Sequence, residues 1–356
     1  VFSNDPVLTI TAPLIQGKIL ETPILNVLNY QILTAMVTSK IVQAAGGRDV
    51  LFFGTRRVPG FEAAMSMTKA CYVTGCISHS NLMGEYFYNL KSTGTMTHGF
   101  IQSFGMGEDS EYRAFDQFIK TYSHKKYPLV MLVDTYDTMK SGITAAIKAF
   151  KDNGINDGYE GMYGIRIDSG NLEELSKKCR KILNENGFFK AKIILTGGLD
   201  EKRIKELIEN GAEVDIFGVG DAIALPEKEI STVYKMSKIG ETDVMKISDE
   251  EQKTSLPGSK ELYRIYENDD FTDVVMLEKE MLEGKKVKKL TVDYIKNGEK
   301  IEENYRLLGL EEAKKYYEDN LLYLQKIYSE KEKRNRGKLS ENLKKLKEDL
   351  IKSKKS

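Results

Sequence analysis

Four short apolar runs in the middle of the chain each end on a polar or glycine-rich turn, and this restricts the fold more than any other feature. Residues 129–133 run into Asp134, and residues 163–167 into Asp168-Ser169-Gly170. Residues 193–195 run into Thr196-Gly197-Gly198, and residues 214–217 into Gly218-Val219-Gly220-Asp221. Between them lie helical patterns marked by Ile143, Ile147 and Phe150, by Leu172, Leu175, Cys179 and Ile182, and by Ile204, Leu207 and Ile208. Each pattern closes on a glycine (Gly154, Gly187, Gly211), as helix C-termini often do. Strands apolar on both faces, alternating with amphipathic helices, specify successive βα units and a parallel sheet. Such folds carry their chemistry at the C-terminal ends of the strands, where the polar residues gather here. A barrel and an open doubly wound sheet both fit. The barrel is favoured, because every strand end is polar rather than one switch point alone.

The flanks differ from this centre. Residues 6–11 alternate as a half-buried strand would, and residues 16–45 carry a helical pattern ending at Gly46-Gly47. A short apolar run at 50–53 then leads into Gly54-Thr55-Arg56-Arg57. Beyond Gly240, charged strand-like segments (243–247, 262–266, 274–277, 289–292) alternate with turns. Residues 310–350 return to helical patterns, with Leu339, Leu343, Leu346 and Leu350 as an apolar stripe. The expected fold is therefore an irregular TIM-like α/β barrel with a partial α+β domain built on an antiparallel sheet and a helical C-terminus. Its divisions are a remnant of an N-terminal α+β domain at 1–20, the barrel at 21–240, a strand-rich part at 241–305 and a charged helical end at 306–356. A chain of 356 residues suits two domains, or one barrel-sized domain with an appendage.

Composition removes several classes of function. The chain lacks the run of about 18 apolar residues that a membrane helix needs, and no signal peptide opens it. Three cysteines without CxxC spacing argue against a disulfide framework or zinc cluster and for a reduced, cytoplasmic setting. Three histidines without an HExxH motif argue against a histidine-built metal site. Residues 326–356 hold 12 Lys and Arg against 5 Asp and Glu, leaving 41 against 48 for the rest. A basic tail on a mildly acidic body is not the footprint of a nucleic-acid-binding domain. It reads as a solvated helix with one docked face, not as a membrane-surface helix. The chain starts at Val1, not Met, and almost at once enters the strand-like stretch, so a preceding segment is expected to be missing.

Several residues are suited to phosphate chemistry. Gly218 and Gly220 stand in a GxGxxA run that reads as a backbone phosphate cradle at a late barrel strand, or as a tight turn. Asp134 and Asp168 suit sugar hydroxyls or a metal-bound pyrophosphate, and equally suit helix capping. Arg166, in an otherwise apolar strand, needs an anionic partner. Arg56 and Arg57 form a second anion candidate. His98 lies in Thr93-Gly94-Thr95-Met96-Thr97-His98-Gly99 among small and hydroxyl residues, whereas His79 and His124 have no such surroundings. No internal repeat is present.

Taken in order, Phe53-Gly54-Thr55-Arg56-Arg57, Gly94-Thr95-Met96-Thr97-His98, Leu132-Val133-Asp134-Thr135-Tyr136, Gly164-Ile165-Arg166-Ile167-Asp168-Ser169-Gly170 and Phe217-Gly218-Val219-Gly220 resemble the nicotinate phosphoribosyltransferase family of the type II phosphoribosyltransferase fold. The resemblance spans residue 1 to about 265, and more loosely runs on to the C-terminus. It implies a homodimer that joins nicotinate to 5-phosphoribosyl 1-pyrophosphate, with ATP hydrolysis and Mg²⁺, as the first step of NAD salvage. It implies that His98 becomes a phosphohistidine, that Arg56 lies near the nicotinate carboxylate, and that Asp134 and Arg166 lie near the phosphoribosyl substrate. Gly218 and Gly220 match the phosphate loop. Arg57, Thr97, Asp168, Ser169, Gly197, Gly198 and Asp221 complete the expected substrate-binding set, with no protein-built metal site. The pyridine nitrogen is itself the nucleophile, so no serine or cysteine nucleophile is needed. Departures from the family pattern are Asn171 after Asp-Ser-Gly, Gly198, Ser231-Thr232 before Val233-Tyr234-Lys235, and no N-terminal segment bearing the tyrosine that reaches the nicotinate site. The alternatives are a phosphoribosyltransferase for quinolinate or nicotinamide, or a silent barrel acting in ligand binding or dimerisation.

Overall fold

The computed structural model describes residues 2–227, 230–250, 253–267, 270–280, 286–328 and 337–355. Helix α1 (Leu14–Ile19) is followed by the long helix α2 (Glu21–Ala44). The single helix read at 16–45 is thus two, broken at Leu20. Pro23 lies in the first turn of α2 and has no N–H to donate to Ile19, so the ladder cannot run through. The chain divides into two compact units, Tyr30–Ile230 and Val1–Asn29 with Ser231–Ser356.

The first unit follows the alternation in the sequence. Its elements are β1 (Asp49–Phe52), α3 (Phe61–Val73), β2 (Ser78–His79), α4 (Leu82–Tyr88), α5 (His98–Gln102), α6 (Ser110–Tyr122), β3 (Leu129–Leu132) and α7 (Ile143–Asp152). They continue as β4 (Tyr163–Ile167), α8 (Leu172–Glu185), β5 (Lys192–Leu195), α9 (Glu201–Glu209), β6 (Ile216–Val219) and α10 (Asp221–Ala224). The six strands pair in parallel in the order β2-β1-β6-β5-β4-β3. Strands adjacent in the chain stay adjacent in the sheet except at β2 and β3, and the β1–β6 pairing is the one that closes a cycle. A doubly wound sheet reverses its order at a central switch point, and this one does not. It is a curled half-barrel, open between β2 and β3.

Alternation along the strands sends successive side chains to opposite faces. Val50, Phe52, Ile165, Ile167, Phe217 and Val219 pack under the helices in the main core. Leu51, Val130, Ile194 and Ile216 form a smaller cluster on the other face. Gly164 permits the β4–β5 approach, since a Cβ there would lie 2.0 Å from the Lys192 carbonyl oxygen. Asn171 caps α8 by accepting from the Glu174 N–H at 3.3 Å, and Asp200 caps α9 from Arg203 at 2.7 Å. The asparagine that departs from the family pattern therefore serves as the cap of this helix.

The second unit holds two short hairpins, β7 (Lys238–Ile239) with β8 (Thr242–Asp243), and β12 (Ile295–Lys296) with β13 (Glu299–Lys300). Its main sheet joins β9 (Lys260–Glu267), β10 (Asp270–Leu277), β11 (Lys286–Lys289) and β14 (Gly337–Leu339) in the order β11-β9-β10-β14, antiparallel except for β10–β14. Helices α11 (Glu302–Tyr305), α12 (Leu310–Tyr328) and α13 (Glu341–Lys355) complete it. Leu262, Val275 and Leu343 form its core. Arg264 and Asp273 face each other across β9 and β10 as a buried two-bond pair at 2.7 and 2.8 Å. Thr232 reaches the Asn29 side chain through its N–H and hydroxyl at 2.9 and 2.7 Å.

Four local readings change, and the first is the strand expected at 243–247, which is only the two-residue β8, Thr242–Asp243. Residues 6–11 join no sheet among the described residues, and Val7 and Leu8 are both about half exposed, so neither face of the alternation is buried. Leu339 ends β14 and does not belong to a helical stripe; of the four leucines Leu343 is the fully buried one. The strand expected at 289–292 lies earlier, at 286–289, in register with β9. Residues 329–336 of the basic stretch lie outside the described residues.

Candidate active site

The loops that leave β1, β3, β4, β5 and β6 meet at the C-terminal face of the half-barrel. Their centre is Asp134, just after β3. Its Oδ2 accepts from the Asp168 N–H at 3.2 Å and the Ser169 hydroxyl at 2.5 Å, while its Oδ1 is buried without a partner. Asp168 extends the network: one oxygen accepts from the Thr196 hydroxyl and the other faces His98 Nε2 at 3.6 Å. The second ring nitrogen, Nδ1, is 3.1 Å from the Thr135 hydroxyl. His98 opens α5 and is about 40% exposed, so the ring is held at both nitrogens and still open to solvent. At 3.6 Å the carboxylate orients the ring by charge, beyond hydrogen-bond range. This favours the tautomer with its proton on Nε2, leaving Nδ1 to accept from Thr135.

Arg166 projects from β4 to the face opposite Ile165 and Ile167. One terminal nitrogen donates to the Met96 carbonyl at 3.3 Å, and its Nε is buried without a partner. Burial pulls its pKa down, Asp168 and Asp134 pull it up, and Arg56 pulls it down again. Two arginines and two aspartates thus share one electrostatic neighbourhood. Arg56 and Arg57 occupy a single 3₁₀ turn, Thr55–Arg57, after β1. Arg57 pairs with Asp221 at 3.0 Å, both well exposed, and Thr55 shares a 3.2 Å hydrogen bond with Ser80.

The glycines play different parts. Gly197 has φ +89°, and a Cβ there would lie 2.0 Å from the Asp168 carbonyl oxygen. It allows the turn after β5 to press against the turn after β4. Gly198 also has positive φ but faces open space. Gly218 lies inside β6, where a Cβ would meet Thr196 Cγ2 at 2.5 Å, and Gly220 precedes α10. Thr97 caps α5, its hydroxyl accepting from the Phe100 N–H at 3.2 Å.

His98, Asp134, Arg166, Asp168, Ser169 and Gly197 therefore come together, with Arg56 beside them. Thr97 and Gly218 are engaged locally, and Asp221 is engaged with Arg57. Sequence reasoning missed Thr135 and Thr196, the hydroxyls that hold His98 and Asp168, although both stand directly in the strand-end turns. His79 ends β2 with Nδ1 accepting from the Asn81 N–H at 3.2 Å. A cavity of about 450 Å³ lies at the other end of the strands, lined by Ser123, His124, Lys126 and Glu160, away from this cluster.

A half-barrel with acids, arginines and a held histidine at its strand ends defines the class: an α/β-barrel protein with a polar, charged cluster at the C-terminal face of its sheet. Residues 49–284 match the nicotinate phosphoribosyltransferase (NAPRTase) family, and the chain belongs to it. It is 39% identical over 273 residues to the nicotinate phosphoribosyltransferase of Bacillus subtilis, covering 74% of this chain and 53% of that protein. It is 34% identical to pncB2 of Mycobacterium tuberculosis, covering 76% and 56%. The chain spans about half the length of the curated relatives it matches. Among solved structures, the nicotinate-nucleotide pyrophosphorylase of Pyrococcus furiosus aligns with a TM-score of 0.71 at 26% identity, over 86% of this chain and 73% of that one. The human nicotinic acid phosphoribosyltransferase shares the fold, with a TM-score of 0.76 at 21% identity over 95% and 78%. No helix among the described residues is long and apolar enough to cross a membrane.

Proposed function

We propose that this chain is a nicotinate phosphoribosyltransferase, joining nicotinate to 5-phosphoribosyl 1-pyrophosphate and coupling the transfer to ATP hydrolysis. The observation that carries the reading is the linked set His98, Asp168, Asp134 and Arg166 at the strand ends of a barrel in this family. In the transfer, the nicotinate ring nitrogen forms a bond to C1 of the ribose. The C1–oxygen bond breaks, and pyrophosphate leaves with the electron pair. The protein orients both substrates and stabilises the leaving charge. Arg166, with its unpartnered Nε, is suited to bind the phosphoribosyl anion, and Arg56 to pair with the nicotinate carboxylate.

His98 takes the γ-phosphoryl group of ATP: its Nδ1 forms the N–P bond as ADP departs. Asp168, facing Nε2, keeps the proton on that nitrogen and offsets the positive charge that develops on the ring. Water later cleaves the N–P bond, releasing phosphate. Mg²⁺ prefers one or two carboxylates together with substrate phosphate oxygens over a cage of side chains. Asp134 fits this, because its Oδ1 is buried and unpartnered, and among the described residues no cluster of three metal-ligating groups exists. When bound there, the ion supplies charge neutralisation of the pyrophosphate. The reading includes a homodimer working in the cytoplasm.

The test is to incubate the purified protein with phosphoribosyl pyrophosphate and nicotinate, nicotinamide or quinolinate, with and without ATP, and to measure each mononucleotide. Nicotinate mononucleotide is the expected product, with ATP raising its yield. Removing Arg56 as Arg56→Ala should erase the preference for nicotinate over its amide, since no guanidinium then selects the anion. Equal use of all three rings by the unmodified protein, or binding without turnover, contradicts the reading.

A further inference from the structure

Helix α5, which His98 opens, is five residues long, little more than one turn. A helix this short has no stability of its own, so tertiary contacts decide where its first residue points. Its one buried side chain is Ile101, which supplies a pivot without fixing the rotation about it. Beyond its last residue, the Phe104 N–H donates to the Ile101 carbonyl at 3.0 Å and the Gly105 N–H to the Gln102 carbonyl at 2.9 Å. Whatever holds Gly105 therefore holds the end of the helix. The Tyr136 hydroxyl does so, donating to the Gly105 carbonyl at 2.7 Å. Tyr136 adjoins Thr135, whose hydroxyl lies 3.1 Å from His98 Nδ1. Two consecutive side chains of the turn after β3 thus grip α5 at its two ends.

We propose that Tyr136 is a positioning residue for His98, its hydroxyl holding the far end of α5 against the turn that carries Asp134 and Thr135. This rests on the reading of His98 as the phosphoryl acceptor. To form the N–P bond, Nδ1 must turn its lone pair from the Thr135 hydroxyl to phosphorus, so that anchor is given up during the reaction. Asp168, 3.6 Å from Nε2, steers the ring by charge without a hydrogen bond. The Tyr136–Gly105 bond takes no part in the chemistry and persists through it. The turn is itself well fixed. Asp134 accepts from the Asp168 N–H and the Ser169 hydroxyl, and Asp137 Oδ1 accepts from the Met139 and Lys140 N–H groups at 3.0 and 2.9 Å. Another tie of the segment after α5 leads elsewhere: Arg113 of α6 donates to the Phe104 carbonyl at 2.7 Å and pairs with Asp109 at 3.3 Å. That contact holds the segment to α6, not to the turn. The Tyr136 hydroxyl is thus the link that keeps Nδ1 in line while the phosphoryl group arrives. With Tyr136 36% exposed, the bond contributes a modest factor in rate, not orders of magnitude.

The experiment compares Tyr136→Phe with Tyr112→Phe, which loses a hydroxyl bonded to Asp152 at 2.8 Å, between α6 and α7. Two readouts are taken on the full chain: phosphate incorporation over a range of ATP concentrations, and ¹⁵N spectra of the His98 imidazole. The spectra include Thr135→Val, alone and combined with Tyr136→Phe; each change keeps the shape of the side chain. At saturating ATP, Tyr136→Phe should take up phosphate about three- to tenfold more slowly, with little change in the KM for ATP. Tyr112→Phe should match the unmodified protein. The ring should keep one tautomer when either residue of the turn is changed alone, and average between tautomers when both are changed. A normal rate in Tyr136→Phe, an equal loss in Tyr112→Phe, or a ring still fixed in the double variant overturns the proposal. If the unmodified protein takes no phosphate from ATP, the reading of His98 fails, and the spectra decide the role of Tyr136 alone. Averaging in the double variant only then supports it; a fixed ring there, or averaging already in Thr135→Val, overturns it.

Discussion

Replacing Gly197 by alanine probes the join between the turns that build the site. Two effects add. The residue has φ +89°, where an L side chain costs about 1–2 kcal/mol. The new Cβ would also stand 2.0 Å from the Asp168 carbonyl oxygen, which is backbone and cannot swing aside. Relieving such overpacking costs about 1–3 kcal/mol, so Gly197→Ala should lose about 2–5 kcal/mol in all. Gly198→Ala is the internal control, because it has the same sign of φ at +60° and nothing within 4 Å. It should lose only the conformational part, about 1–2 kcal/mol. Thermal unfolding of both variants separates the effects, at about 2–4 °C per kcal/mol for a unit of this size. The strain in Gly197→Ala also falls on Asp168, so His98 phosphorylation should drop in that variant and stay near normal in Gly198→Ala. Equal losses in the two variants would refute the argument that close approach, not φ, makes Gly197 necessary.

Other outcomes follow from individual contacts. Arg166→Ala removes a charge-assisted contact and should weaken phosphoribosyl pyrophosphate binding by about 1.5–3 kcal/mol by calorimetry; unchanged affinity in a folded variant refutes the assignment. Asp273→Ala strands the Arg264 guanidinium in the second unit, where the pair is 11% and 2% exposed. Denaturant unfolding should register a loss of about 3–5 kcal/mol. Burial holds the pKa of His79 below its ordinary value, with the charge of Glu85 opposing. The unfolded chain therefore takes up a proton first as the pH drops, and stability from the neutral ring is lost below about pH 6.5. The His79→Gln variant should show a flatter stability curve over that range.

The parallel strands of the half-barrel were legible because each is an apolar run bounded by a polar turn, and burial on both faces leaves little else for such a run to be. Their ends revealed His98, Asp134, Arg166 and Asp168 as residue types. The links among these were not legible: Thr135 meets His98 and Thr196 meets Asp168 only after the sheet brings distant turns together. Tyr136 reads in the sequence as one residue of a motif, and only the fold shows its hydroxyl meeting Gly105. The elements at 78–88 escaped reading for another reason. The strand β2 is two residues long, and α4 exposes Leu82, Tyr86 and Phe87, so neither period nor burial marks them. At 6–11 the alternation was real, but a strand also needs a neighbour for its backbone groups, and a pattern does not supply one. Leu339 followed helical spacing from Leu343 yet pairs with Val275 in a sheet.

The most direct test of the account is the transfer of the terminal phosphate of ATP to the protein. γ-Labelled ATP is mixed with the purified chain, and the protein is recovered and its label characterised. The account predicts label that is acid-labile and base-stable, as a phosphorus–nitrogen bond is, residing on the peptide that contains His98. It should disappear in His98→Asn, together with ATP-stimulated formation of nicotinate mononucleotide. Label that persists in His98→Asn, or maps to His79 or His124, contradicts it.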